Sequence, residues 1–373
     1  MEYRNFGKAD AKVFPLGFGM MRLPMAGDKV DVDEAIRIVR WAIDNGLNYV
    51  DTAYMYHDGE SENITALALK DGYREKVNLA TKCPVWKIEK PEDFDALLEE
   101  QLNKLQTDHL DFYLLHSLDL ERWNQTILPC EVPQRLLAAK KAGKVRNIGF
   151  SFHDSIEAFK TMVDYWHEWD FCQIQLNYMD KEHQAGIEGL EYAASKGLGV
   201  VIMEPLRGGY LANVPENVEK VLGQSGKSPV EMGLDFLWNR PEVSVVLSGM
   251  SDMEQVKQNM EFAKRAKPGM LTDQEQSWLT EAEEILRSHA TIACTGCNYC
   301  NVCLNQIPIP QIFSAYNECR TNMSIPNGKK KYAEAVEGRN GADVCIGCGV
   351  CESQCPQHLP ISEWMPKIYD LLG

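Results

Sequence analysis

The chain has no run of about 18 apolar residues, so no bilayer-spanning helix is expected. It has no excess of basic charge either: 38 Lys and Arg stand against 54 Asp and Glu, a formal net charge of −16. A polyanion such as nucleic acid, or an anionic membrane surface, would be repelled rather than neutralised. The opening residues, MEYRNFGKADAKVF, lack the apolar core of a secretion signal. Without such a signal, twelve cysteines point to metal or free thiols in a reducing cytoplasm rather than to disulfides. No repeat of solenoid length and no low-complexity tract is present. A soluble cytoplasmic protein is expected, with 373 residues and 45% hydrophobic content enough for one large core and a small appendage.

What is there begins with cysteine spacing. Eight cysteines near the C-terminus form two tight runs, Cys294, Cys297, Cys300, Cys303 and Cys345, Cys348, Cys351, Cys355, the second followed by Pro356. A C-x2-C-x2-C loop wraps three thiolates around one centre, and a cuboidal iron–sulfur cluster takes its fourth ligand from elsewhere. Zinc sites use pairs of such cysteines, whereas four crowd each run here. The second run has the bacterial ferredoxin spacing C-x2-C-x2-C-x3-C-P, in which the fourth cysteine serves the other run's cluster. On that logic Cys294, Cys297, Cys300 and Cys355 hold one 4Fe-4S cluster, and Cys345, Cys348, Cys351 and Cys303 hold a second. Cys303 departs from the pattern, following after two residues with Leu304 in place of proline, and Cys319 is the alternative ligand. Cys83, Cys130 and Cys172 read as buried small apolar residues.

Before the cysteines, short apolar runs alternate with amphipathic stretches. Strands are expected at 15–19, 47–51, 77–82, 110–116, 145–151, 171–176, 199–203 and 243–249. The stretch 33–45 puts Ala35, Ile38, Val39 and Ala42 on one helical face and stops at Gly46; 134–142 stops likewise at Gly143, and a last helix covers 272–287. Strands apolar on both faces, each followed by a helix, make a parallel sheet covered by helices. Eight such units over about 250 residues is the count of a (β/α)8 TIM barrel. An open doubly wound sheet would start with a glycine-rich fingerprint, and Gly17-Phe18-Gly19-Met20 lacks its third glycine. Two domains are expected: a barrel over 1–287 and a small, mostly helical ferredoxin-like iron–sulfur domain over 288–373.

Catalytic groups in a parallel barrel project from the C-terminal strand ends. Those ends carry Asp51, Lys82 and His116, with Tyr56 in the loop after Asp51. A phenol is too weak an acid to protonate an alkoxide well at neutral pH. A neighbouring ammonium favours its phenolate, and a carboxylate holds the lysine in place. Tyr56 is therefore read as the general acid, Lys82 as its activator, Asp51 as the anchor of Lys82, and His116 as the group that orients the substrate carbonyl. Trp86, Trp123, Met55 and His57 are expected around the pocket mouth.

These residues resemble the aldo-keto reductase family. The resemblance covers about 1–286 and lies in DTAYMY, the TK dipeptide, LLH, VRNIGFS, QIQLNY, EPLRGG and LSGMS. It implies an extended nicotinamide dinucleotide, NADP or NAD, and hydride transfer between that cofactor and the carbonyl carbon of a small-molecule substrate. It further implies that Ser151 and Gln173 hold the carboxamide, while Gly19, Met20, Asp51, Met203, Glu204, Pro205, Leu206 and Gly208 line the cofactor's path. Ser248, Gly249, Met250, Gln255 and Asn259 would border the adenosine end. The sequence departs from the family pattern in three ways: Phe152 follows the fifth-strand serine instead of Asn, Met203 replaces the stacking aromatic, and Gly249 and Gln255 stand where basic residues grip a 2′-phosphate. The tail resembles the iron–sulfur-containing branch of the same family through CTGCNYCNVC and CIGCGVCESQCP.

Two functions remain open at this point. One is an NAD(P)H-dependent carbonyl reductase with structural or regulatory clusters. The other passes electrons between the barrel and a ferredoxin-like redox partner; because nicotinamide moves two electrons and a cluster one, it needs a converter such as a flavin. Retention of all four catalytic residues argues against a non-catalytic binding subunit.

Overall fold

The computed structural model describes residues 2–289, 291–321 and 324–373. An antiparallel hairpin comes first, β1 (Arg4–Phe6) with β2 (Ala9–Val13), followed by β3 (Leu16–Gly19). A second short hairpin pairs β4 (Met25–Ala26) with β5 (Lys29–Val30). Then come β6 (Tyr49–Asp51), β7 (Asn78–Cys83), β8 (Leu110–Leu118), β9 (Val145–Phe152), β10 (Phe171–Gln175), β11 (Gly199–Met203) and β12 (Val243–Ser248). Strands β3 and β6 to β12 form a closed barrel, with β12 pairing back onto β3. All eight expected strands are present. Their near-continuous apolar character reflects burial on two faces, toward the barrel interior and toward the helices.

Register decides which strand-end side chains sit side by side. Gly19 pairs with Asp51, Asp51 with Ala80, Lys82 with Leu114, and Ser151 with Gln173. At the opposite end the first hairpin plugs the barrel, a feature absent from the sequence reading. Phe6 stacks within 6.0 Å of Tyr49, 4.5 Å of Phe112 and 5.6 Å of Phe171, ring centre to ring centre. The turn beneath it depends on Gly7, whose φ is +53°; a Cβ there would lie 2.2 Å from the Gly199 nitrogen.

The helices start and stop where side chains can satisfy their ends. Asp31 caps Val32–Asp44 by accepting from the Glu34 N–H, and Gly46 takes φ +101° after it. Val132–Lys141 stops before Gly143, at φ +77°. Asp273–Ser288 starts with a reciprocal box in which Thr272 and Glu275 each accept from the other's backbone N–H.

The chain divides into two compact units. The first, Met1–Pro205 with Leu234–Leu271, holds the whole barrel. The second joins Leu206–Gly233 to Thr272–Gly373. Its core packs Ile312 and Phe313 of the helix Ile309–Thr321 with Tyr332 of Ile325–Val336 and Met365 and Ile368 of Ile361–Leu372. An ion pair at 2.6 Å between Lys227 and Glu275 ties its two chain segments together. No strand occurs among the described residues of this unit, and no helix of the described chain is long and apolar enough to cross a membrane.

Candidate active site

Strand β6 ends at Asp51, β7 carries Lys82 one residue before its end, and β8 carries His116. All three side chains are buried. Tyr56 opens the tight turn Tyr56–Gly59 after β6. The Lys82 ammonium reaches three oxygens: Asp51 Oδ1 at 2.5 Å, the Thr52 carbonyl at 2.9 Å and the Tyr56 hydroxyl at 3.2 Å. The Tyr56 and His116 rings meet edge to face at 6.1 Å, and Trp86, 41% exposed, lies 5.3 Å from His116.

Burial dominates the electrostatics. It pushes the Asp51 carboxyl up and the Lys82 ammonium down, while their mutual attraction opposes both shifts. His116 is held well below the usual imidazole range, first by burial and then by the positive charges of Lys82, His153 and Arg122. It is therefore neutral at physiological pH, with one ring nitrogen able to donate a hydrogen bond. A hydroxyl beside an ammonium, itself tied to a carboxylate, next to a neutral imidazole is an arrangement for moving a proton to an oxygen.

The sequence profile of the Aldo/keto reductase family matches residues 15–277. The chain belongs to the aldo/keto reductase family. As an aldo/keto reductase it is an NAD(P)H-dependent oxidoreductase. It is 28% identical to L-galactose dehydrogenase of Arabidopsis thaliana over 315 residues, 77% of this chain and 94% of that protein. The holo form of the aldo-keto reductase AKR11C1 from Bacillus halodurans superposes with a TM-score of 0.63 at 26% identity, covering 76% of this chain and 96% of that one. An aldo-keto reductase from Klebsiella pneumoniae in complex with NADPH shares the fold at 23% identity, TM-score 0.61, over 75% of this chain and 94% of its own. The family match ends before the first cysteine run.

Most residues that the aldo/keto reductase resemblance assigns to the cofactor cluster around the barrel. Gly19 ends β3, and the buried Met20 donates its N–H to the Asp51 carbonyl at 2.8 Å. Ser151 accepts from the Ser117 N–H at 2.8 Å, which leaves its hydroxyl proton to donate. Gln173 is buried, and among the described residues its Oε1 has no hydrogen-bond partner. Met203 ends β11; Glu204 follows at φ +55°, its carbonyl accepting from Asn177 Nδ2 at 3.0 Å, and Pro205 is buried beyond it.

At β12, Ser248 Oγ accepts from Asn259 Nδ2 at 3.1 Å, and Met250 is fully buried. The Arg22 side chain lies over Gly249, leaving no room for a Cβ there. Gln255 is held by its own turn, accepting from the Ser251 N–H at 2.9 Å and donating to Asp252 at 2.8 Å. Leu206 and Gly208 belong to the second unit, where Gly208, at φ +66°, packs against the Thr295 carbonyl.

The expected pocket mouth needs one correction. Trp123 is 1% exposed and packs against Trp169 and Tyr165, so it is a core residue and not a rim residue. Sequence reading also missed a buried network behind Lys82, formed by Glu62, Thr81, Gln101 and Tyr113. Its members are far apart in sequence and ordinary one by one, so no local pattern announces them.

In the second unit the eight cysteines line two recesses. One is lined by Cys294, Cys297, Cys300 and Cys355 with Phe313 and Leu359. The other is lined by Cys345, Cys348, Cys351 and Cys303 with Leu304, Ile346 and Met365. Ile309 and Ile361 form a shared wall. Burial raises the Cys300 thiol, as do Cys297, Cys294 and Cys355; burial, with Cys303 the next largest cause, pushes Cys351 up to about 11. Among the described residues no group of three or more His, Cys, Asp or Glu is gathered as a single metal ion requires. Cys319 lies outside both recesses, packed on Gly328. Cys83, Cys130 and Cys172 are buried.

Proposed function

We propose that the chain reduces an aldehyde or ketone to an alcohol, reversibly, with Tyr56 as the general acid. The Lys82 ammonium, 2.5 Å from Asp51 and 3.2 Å from the Tyr56 hydroxyl, carries this reading. Tyr56 gives its proton to the carbonyl oxygen as negative charge grows there, and Lys82 stabilises the phenolate left behind. Asp51 fixes Lys82, and the neutral His116 donates a hydrogen bond that orients the carbonyl. A bound NADPH or NADH supplies the hydride. The buried Gln173 Oε1, without a partner among the described residues, and the Ser151 hydroxyl, its neighbour in register, fit a carboxamide. Gly249 and Gln255 bring no positive charge toward a 2′-phosphate, so neither dinucleotide is excluded. The test is loss of reduced-dinucleotide absorbance with a panel of aldehydes, ketones and sugars. No oxidation with any of them, together with no dinucleotide binding, would remove the reading.

The proposed division of labour gives the reductase to 1–287 and a ferredoxin-like iron–sulfur module to 288–373. The two recesses, each lined by four cysteines drawn from both runs, support two 4Fe-4S clusters with Cys294, Cys297, Cys300, Cys355 and Cys345, Cys348, Cys351, Cys303 as the ligand sets. Bound clusters would supply one-electron chemistry and hold these loops folded. A second role, electron exchange with a ferredoxin-like partner, is favoured by the exposure of Cys348 beside Leu304 and Ile346, each 67% exposed. Iron content and the visible spectrum of anaerobically purified protein test the module: about eight irons per chain is expected, and none would refute it.

A further inference from the structure

Glu62 lies in the first turn of the helix Ser61–Ala68 and is fully buried. Its Oε1 accepts from Thr81 Oγ1 at 2.7 Å and from Gln101 Nε2 at 2.6 Å. The orientation of Gln101 is fixed on its other contacts. Its Nε2 donates to the Lys82 carbonyl at 3.0 Å, an oxygen that only accepts, and its Oε1 accepts from the Tyr113 hydroxyl at 2.8 Å. Thr81, Gln101 and Tyr113 are all fully buried. Burial, with Glu100 adding to it, pushes the Glu62 carboxyl above the ordinary carboxylate range, while the two donors on one oxygen, Lys104 and a place in the first turn of a helix favour its charged form.

We propose that Glu62 is a positioning residue for the reductase reaction, a second counter-charge that fixes the strand under Lys82 and keeps its ammonium protonated. The inference rests on the catalytic role proposed for Lys82. Its physical basis is the isolation of that ammonium: Lys82 is 1% exposed, and burial works to strip its proton. Asp51 opposes this from the strand-end side, and Glu62 opposes it from behind β7. The other titratable groups facing Glu62 are Lys104 and Glu100 on the helix Pro91–Leu105, with Cys83 and Tyr113 beside them on β7 and β8. Lys104 and Glu100 form their own ion pair at 3.0 Å.

The test uses the full-length protein and Glu62→Gln, which keeps shape and removes charge. The Lys82 side-chain carbon resonance, assigned by its loss in Lys82→Met, should titrate at lower pH in the variant. The alkaline limb of kcat should move down by about one pH unit, a tenfold weaker hold on the proton, with KM for the dinucleotide unchanged. Glu62→Asp should restore part of both shifts. If Glu62→Gln fails to fold, Gln101→Met, which strips one donor from Glu62, carries the same expectation. A Lys82 titration identical in wild type and a folded variant would overturn the inference. Activity surviving in Tyr56→Phe would instead overturn the underlying catalytic assignment.

Discussion

Lys82 Nζ stands 2.5 Å from Asp51 Oδ1 in a site where both side chains are almost completely buried. A buried pair of this kind is strongly destabilising when one member is removed, because the other keeps its charge without solvent. Asp51→Asn should therefore lower stability by about 3 kcal/mol and lower kcat as well, since Lys82 loses its anchor. Denaturant unfolding beside steady-state kinetics checks both. A variant that loses neither would detach Asp51 from Lys82.

His116 gives the protein an acid-side signature. Its folded pKa lies well below the ordinary value near 6.5. Above that pH neither state binds the proton, and the group contributes nothing. As pH falls below about 6.5 the unfolded chain takes up a proton that the native site refuses, so stability falls, by at most about 1.4 kcal/mol per pH unit. His57 and His289 are depressed in the same direction, so the measurement is a difference. Unfolding free energies of wild type and His116→Gln should converge between pH 7 and pH 5 (about the range where an ordinary imidazole titrates). Parallel curves would contradict a neutral His116.

The cysteine recesses make a pairing prediction that neither run makes alone. Cys355→Ser should remove iron from the centre served by Cys294, Cys297 and Cys300, and Cys303→Ser from the one served by Cys345, Cys348 and Cys351. Cys319→Ser should leave iron content unchanged, because that thiol packs in the core outside both recesses. Iron analysis with electron paramagnetic resonance on each variant separates the two centres.

The barrel floor offers a stability test away from the chemistry. Phe6 is fully buried against Tyr49, Phe112 and Phe171. Phe6→Ala should cost about 3–5 kcal/mol while leaving KM for the dinucleotide unchanged in the folded fraction. A loss under 1 kcal/mol (roughly the scale of a surface substitution) would mean that the hairpin does not close the floor.

The parts legible in the sequence were those written into local patterns. Strands such as LDFYLLH are apolar on both faces because both faces are covered, and their spacing alone implies the closed ring. Asp51, Lys82 and His116 were readable because strand ends can be counted. The hairpin around Gly7 was not, since Arg4–Phe6 and Ala9–Val13 are short and half polar and gain their meaning only by capping Tyr49 and Phe171. Trp123 resembled a rim residue because it follows the fourth barrel strand, yet its ring turns into the layer formed by Trp169 and Tyr165. Glu62 and Gln101 were invisible for a different reason. Their significance is that Gln101 bridges Glu62 to the Lys82 carbonyl, and a backbone atom carries no sequence signal.

The most direct measurement is carbonyl reduction by Tyr56→Phe under conditions where the wild type turns over. The phenylalanine keeps the ring and removes only the hydroxyl that stands 3.2 Å from Lys82. The expected result is a fall in kcat of about 10²–10⁴-fold, with dinucleotide affinity unchanged. Turnover at the wild-type rate would contradict the account.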